Sequence, residues 1–239
     1  MSGQGELLII GHRGASADHP ENTVEAFVGA REQGADWVEL DVRLASDGSL
    51  IVHHDPWYRD GRTIWDTAGD ERPPEVPLLD QALDACAGMG VNVEIKNLPG
   101  DLGGDHVPHG LEVADVVTGL LAARAAAGVD QEVLVSCFDW PTLERVRACD
   151  QALATGFLVF DLNALPDAPE RAAEAGHQAL HPWDPFVDAA LADRCHRLGL
   201  RINTWTVDEH DRIQALGLLG VDGIVTNVPR LARRALGRG

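Results

Sequence analysis

Three carboxylates, two histidines and the chain's only lysine sit at spacings that suit one reaction centre. In WVELDVR at residues 37–43, Glu39 and Asp41 alternate with Val38, Leu40 and Val42. In VNVEIK at 91–96, Glu94 and Lys96 alternate with Val93 and Ile95. A period of two puts the polar side chains of each run on one face of a strand. If the runs lie side by side, Glu39, Asp41 and Glu94 converge. Two like charges about 4 Å apart repel by about 4 kcal/mol at an effective dielectric of about 20. Such a cluster must take up protons, pair with cations or hold a metal ion. The donors are oxygens with no thiolate, which favours a hard divalent ion, Mg²⁺ or Ca²⁺. The structural alternative is an ion-pair network with Arg13, Arg43 and Lys96.

The histidines add acid–base capacity, because imidazole titrates near neutral pH. His12 ends the apolar run LLIIGH. His54 follows RLASDGSLIVH, where Asp47-Gly48 between alternating apolar residues signals a hairpin. With Asp47-Gly48 as a two-residue loop, paired positions sum to 95, so Asp41 lies opposite His54 and His53 turns to the other face. Of 19 cationic residues only Lys96 is lysine, two residues after Glu94. That placement suits a compact ammonium more than a planar guanidinium fork. Arg13 and Lys96 beside a hard ion fit an anionic substrate, with phosphate the usual one for such a clamp. His181, ending another predicted strand, is a weaker candidate. Residue types and spacing thus reach metal-assisted chemistry on a phosphate ester, and leave the alcohol open.

These side chains need a scaffold. Strands are predicted at about 7–12, 37–43, 91–96, 132–137, 154–160, 179–183, 201–207 and 222–226, with a hairpin strand at 50–54. Helical patterns intervene at about 22–34, 77–88, 111–127, 141–149, 168–175, 187–198, 208–218 and 229–236. Eight strands alternating with eight helices predict an α/β chain, a (β/α)₈ barrel with one extra hairpin strand after the second barrel strand. A doubly wound sheet is the alternative, but no G-x-G-x-x-G follows the first strand. In a barrel the apolar sides of strands meet the helices, so the carboxylates point inward, near the C-terminal ends where barrel sites lie. With 239 residues, 45% apolar, and no linker or repeat, residues 1–239 are expected to form a single barrel domain.

The net charge of −19, from 38 acidic and 19 cationic residues, disfavours nucleic acid and stable association with anionic membranes. The four cysteines have neither zinc nor disulfide spacing. MSGQGELLIIGHRG lacks the features of a signal peptide, and no apolar run approaches 18 residues, so a cytoplasmic protein is expected.

Several motifs occur together in order. They are HRG at 12–14, PENT at 20–23, GAD at 34–36, VELDV at 38–42, HDP at 54–56 and EIK at 94–96. SCF at 136–138, HPW at 181–183, WTVD at 205–208 and DGIVTN at 222–227 continue the series. The chain thereby resembles the glycerophosphodiester phosphodiesterases over about residues 7 to 230. The resemblance implies a metal-dependent barrel hydrolysing glycerophosphodiesters to sn-glycerol 3-phosphate and an alcohol. It implies carboxylate ligands at Glu39, Asp41 and Glu94, an acid and a base at His12 and His54, and phosphate contacts from Arg13 and Lys96. Trp205 is expected to line the pocket. Asn22 reads as a helix N-cap boxed with Glu25.

The chain departs from the family pattern in three places. Only Trp57 to Val76 stand where members carry a longer insertion, which leaves substrate specificity open. The family's WTVN and IITD read WTVD and IVTN, exchanging the residue types at Asp208 and Asn227, and the sequence offers no reason. Leu98 to Gly110, rich in Gly, reads as a loop at the barrel mouth. Two rival functions stay open: a phospholipase D-like hydrolase of lysophospholipids, and a non-catalytic metal- or phosphate-binding barrel. The first needs an apolar surface at the mouth.

Overall fold

A computed structural model describes residues 6–97 and 111–238; the predicted loop at 98–110 lies outside them. The barrel strands are β1 (Leu8–His12), β2 (Trp37–Leu44), β4 (Gly90–Ile95), β5 (Val133–Cys137), β6 (Ala154–Val159), β7 (Ala179–Pro182), β8 (Arg201–Thr204) and β9 (Gly223–Thr226). All pair in parallel, and β1 bonds to both β2 and β9, which closes the ring. Helices α1 (Val24–Glu32), α2 (Leu79–Ala85), α3 (Glu112–Ala126) and α4 (Trp140–Cys149) follow the first four barrel strands. Helices α5 (Ala168–Glu174), α6 (Ala189–Arg197), α7 (His210–Leu219) and α8 (Pro229–Ala235) follow the others. This is the (β/α)₈ barrel that the alternation predicts. No helix among the described residues is long and apolar enough to cross a membrane.

Every residue of β2 and β4 is buried, as expected for parallel strands covered on both faces. Val38, Leu40, Val42, Val91, Val93 and Ile95 face the helices and join the large core. The opposite face points into the barrel. Its N-terminal part is apolar, with Ile10, Trp37, Leu134, Ala179 and Val225 packed together. Further along the same face the register pairs His12 with Glu39 and Asp41 with Glu94. Adjacent parallel strands therefore bring the predicted carboxylates to one level.

The extra strand β3 (Leu50–Val52) lies antiparallel on β2 outside the ring, but in a different register from the predicted one. Val42 pairs with Val52 and Leu44 with Leu50, so Asp41 faces His53 and not His54. The loop has three residues, Ser46-Asp47-Gly48, closed by Ser49 O accepting from Ala45 N at 2.9 Å. Gly48 at φ +83 supplies the left-handed residue that such loops need. Asp-Gly marked the hairpin correctly, but one extra loop residue shifts every pair. Beyond β3, residues 57–76 carry two short 3₁₀ turns, and Tyr58, Ile64 and Val76 pack on Ala45 and Ile51 as a small satellite core.

Candidate active site

The turn after β1 places the first cation. Arg13 has φ +54, uncommon for a residue with a side chain, and Gly14 follows at φ +90. A Cβ on Gly14 would lie 2.6 Å from the Ala26 backbone, so only glycine lets this turn pack on α1. The turn aims Arg13 N at Glu39 Oε2 (3.0 Å) and Arg13 Nε at Asp41 Oδ2 (3.1 Å). Its Nη1 reaches the Glu21 carboxylate at 3.0 Å.

Asn22 corrects the reading from sequence. Thr23, not Asn22, caps α1, its Oγ1 accepting from Ala26 N at 3.2 Å. Glu25 pairs with His19. Asn22, at φ +57, turns inward: its Nδ2 donates to Asp41 Oδ2 at 2.8 Å, and its Oδ1 accepts from Asp41 N at 3.2 Å. Among the described residues, Arg13 and Asn22 are the only non-glycines with positive φ, and both touch Asp41. Asn tolerates that conformation better than most residues, which is the signal sequence reading missed.

Lys96 follows the last residue of β4, and its Nζ lies 2.5 Å from Glu94 Oε1 and 3.3 Å from Asp41 Oδ1. Arg43 does not join those two contacts as the ion-pair alternative expected. Its Nε and Nη2 donate to His54 O at 2.8 and 2.6 Å, and its Nη1 to Lys96 O at 3.2 Å. Arg43 thus ties together the backbone of two predicted site residues.

The predicted pairing of His54 fails because the chain leaves the ladder after Val52, and Arg43 holds the His54 carbonyl beside that of Lys96. His54 Nδ1 lies 2.8 Å from Asp55 Oδ1, and its ring feels the charges of Asp41, Lys96 and Arg13. His53 instead stands edge-on to Tyr58, ring centroids 5.6 Å apart. His12 Nε2 is 4.0 Å from Glu39 Oε2, while its Nδ1 lies 2.7 Å from Asn227 Oδ1. Burial holds the His12 imidazole below its ordinary pKa, with Arg13 adding to the effect. Burial also lowers His54, aided by Lys96 and Arg13 and opposed by Asp41.

Trp205 donates its indole N–H to His181 O at 2.9 Å and stands edge-on to Phe138, whose ring lies 5.8 Å from Lys96 Nζ. Phe160, 57% exposed, stacks on Trp183 beside it, so aromatic side chains rim this end of the barrel. His181 is buried against Asn203 Nδ2 at 3.0 Å, and burial lowers its pKa to about 3. A neutral imidazole inside the barrel is a packing and hydrogen-bonding group there.

The charge count decides what the carboxylates need. Arg13 and Lys96 face three buried carboxylates, and Arg13 also pairs with Glu21, so the three cannot all stay ionised without a further cation. Burial and the Asp41 charge push Glu39 up to about 8. Burial, with Asp41 and Glu39, pushes Glu94 up to about 7 against the pull of Lys96. Burial also opposes the charge on Asp41, but Lys96 and Arg13 outweigh it and hold that carboxyl below its ordinary range. Glu39 Oε1 is buried without a hydrogen-bond partner. One oxygen from each of Glu39, Asp41 and Glu94 lies within 4.8 Å of the others. An all-oxygen donor set with a charge deficit and an orphaned oxygen fits a hard divalent cation.

A family model described as "Glycerophosphoryl diester phosphodiesterase family" matches residues 12–231. A glycerophosphodiester phosphodiesterase from Caldanaerobacter subterraneus subsp. tengcongensis is 30% identical over 233 residues, covering 94% of this chain and 95% of its own. An Oleispira antarctica phosphodiesterase solved in complex with the product sn-glycerol-3-phosphate superposes with a TM-score of 0.85 at 25% identity, covering 96% of each chain. A glycerophosphodiester phosphodiesterase from Thermotoga maritima, at 24% identity and a TM-score of 0.76 over 97% of this chain and 99% of that one, shares the fold.

Proposed function

The chain belongs to the glycerophosphoryl diester phosphodiesterase family, a family of phosphoric diester hydrolases, and on that premise we propose how its residues divide the work. The substrate is a small glycerophosphodiester, cleaved to sn-glycerol 3-phosphate and an alcohol. The convergence of three buried carboxylates with His12, His54, Arg13 and Lys96 at one end of the barrel carries this reading. The Oleispira relative, bound to sn-glycerol-3-phosphate, supports the product.

Glu39, Asp41 and Glu94 hold a divalent ion, Mg²⁺ or Ca²⁺, which supplies Lewis-acid polarisation of a phosphoryl oxygen when bound. Arg13 and Lys96 bear two positive charges beside it and match the negative charge of the phosphodiester. Their placement on the carboxylates keeps both side chains ordered before substrate arrives. Asn22 fixes the Asp41 carboxylate through Oδ2 and so leaves Oδ1 directed at the cluster.

His12 and His54 serve as the acid and base. Burial favours the neutral, proton-accepting form of both imidazoles, and the one that acts as the acid must first take up a proton. One takes the proton of the attacking hydroxyl, the P–O bond to the leaving alcohol breaks, and the other histidine, protonated beforehand, gives its proton to the departing alkoxide. The hydroxyl belongs either to water or to C2 of the glycerol. A diester lacking that 2-hydroxyl separates the routes, because unchanged turnover eliminates attack from within the substrate.

The test is release of glycerol 3-phosphate from a panel of glycerophosphodiesters, with and without a chelator. Metal-dependent release supports the proposal. Absence of release from every diester, together with no effect of His54→Ala on metal or phosphate binding, leaves a binding barrel instead. Faster cleavage of a micellar lysophospholipid than of a soluble diester points to the lipid-hydrolase alternative.

A further inference from the structure

The contacts of His12 on its far side assign a role to the exchanged pair Asp208 and Asn227. We propose that Asp208 and Asn227 form a directional hydrogen-bond relay that sets the tautomer of His12. The proposal rests on the reading of His12 as an acid–base group, and the relay is built from the following contacts.

Asp208 follows β8, and Asn227 follows β9. Asp208 Oδ1 accepts from Asn227 N at 2.8 Å and from Thr226 Oγ1 at 3.0 Å, and its Oδ2 lies 2.6 Å from Asn227 Nδ2. A carboxylate only accepts, so the amide of Asn227 must turn its NH₂ toward Asp208. Its Oδ1 is then aimed the other way, 2.7 Å from His12 Nδ1 and 2.7 Å from Ser16 Oγ. A carbonyl oxygen also only accepts, so His12 must carry its proton on Nδ1. The neutral ring therefore keeps its lone pair on Nε2, the nitrogen 4.0 Å from Glu39 Oε2 and on the side of the carboxylate cluster. Each link in the relay has one allowed polarity, fixed at its far end by a carboxylate.

The relay also explains why the residue types at these two positions can be exchanged together. After the exchange an amide follows β8 and a carboxylate follows β9. The amide oxygen accepts from the same two donors, and the amide NH₂ faces the carboxylate. The free oxygen of that carboxylate then accepts from His12 Nδ1. Every donor still meets an acceptor, and His12 keeps its proton on Nδ1. A single change does not preserve this. Asp208→Asn keeps an oxygen on the same two donors and turns an NH₂ toward Asn227, which reverses the Asn227 amide and offers its NH₂ to His12 Nδ1. Asn227→Asp sets two carboxylates against each other.

Two readouts test the positioning role. The first is the His12 ¹⁵N spectrum at neutral pH, recorded for the metal-free and the Ca²⁺-loaded protein and assigned with His12→Gln. The expected signature is a protonated Nδ1 and an unprotonated Nε2 in the wild type, with Nε2–H gaining population in Asp208→Asn. The second is steady-state kinetics on glycerophosphocholine. Asp208→Asn should lower kcat about 10- to 100-fold, the range for lost orienting partners, with KM within about twofold. The double exchange D208N/N227D should regain the wild-type tautomer and most of the lost kcat. A wild-type His12 protonated on Nε2 overturns the proposal without any variant having to fold. So does a double exchange that is folded and no more active than Asp208→Asn. Because the spectrum needs no turnover, a protein that cleaves no diester still reports on the relay, which keeps the two proposals separable.

Discussion

Along the inward face of β2, Trp37 packs with Ile10, Leu134, Ala179 and Val225, while Glu39 and Asp41 further up the same face meet arginine, lysine and asparagine. The same strands and the same alternation therefore build two interiors. The lower one is closed by apolar contact and has no charge to neutralise. The upper one leaves a carboxylate oxygen buried without a partner and sets three carboxylates against two cations. Volume does not distinguish them as sites: a cleft of about 360 Å³ opens at the lower end, lined by Trp37, Leu121, Gln131 and Arg201, and gathers none of the site histidines or carboxylates. Clustered buried charge marks function here, and apolar closure marks stability.

If that division holds, the two ends fail differently when cut. His54→Ala should lower kcat by about 10²- to 10⁴-fold, the usual contribution of a general acid or base, with little change in melting temperature. His53→Ala is the control, since His53 rests edge-on against Tyr58 outside the site. It should leave kcat within about twofold and cost about 1 kcal/mol of stability. Equal loss from both histidines would overturn the assignment. At the lower end, Leu134→Ala should cost about 2–5 kcal/mol in chemical denaturation while kcat of the folded fraction stays unchanged. A Leu134→Ala enzyme that is stable but slow would break the comparison.

The upper interior was legible in sequence to the extent that period two alone put Glu39, Asp41, Glu94 and Lys96 on inward faces, and the structure places all four there. The barrel was equally legible, because eight strand and eight helix signals alternate, interrupted only by the hairpin strand and the segment after it. What escaped were contacts that depend on chain reversal. The sequence pairs His54 with Asp41, whereas a hairpin loop of three residues and not two puts His53 there. Asn22 looked like a cap because Asn and Thr are both good caps, and only the left-handed turn shows that Thr23 takes that place. The exchange at Asp208 and Asn227 made no sense position by position. The turns after β8 and β9 bring the two side chains to 2.6 Å, a contact between residues 19 apart that neither position shows by itself.

The subtlest difference between the regions is in their response to pH. Glu39 and Glu94, raised to about 8 and about 7, hold protons in the metal-free fold that the unfolded chain releases above about 4.5. Their contribution is full below the unfolded pKa and is lost as pH rises through the folded values. His177 and His181, lowered by burial to about 4 and about 3, behave oppositely: their contribution is full above about 6.5 and is lost as pH falls through the folded values. Between about 4.5 and 6.5 the two effects oppose each other, with His12 and His54, also lowered by burial, on the side of the histidines, and from 6.5 to 8 the carboxylates dominate. The metal-free protein should therefore lose stability from pH 6.5 to 8, on the order of 1 kcal/mol per pH unit for each proton released. Saturating Ca²⁺ should erase that slope, because the ion replaces the protons on the cluster. Glu39→Gln should reduce it, because a neutral amide has no proton to lose. Urea denaturation at pH 6.5 and 8, with and without Ca²⁺, reads all three. A slope that is the same with the ion, and the same in Glu39→Gln, would locate the titration elsewhere and remove the charge deficit as the mark of the upper interior.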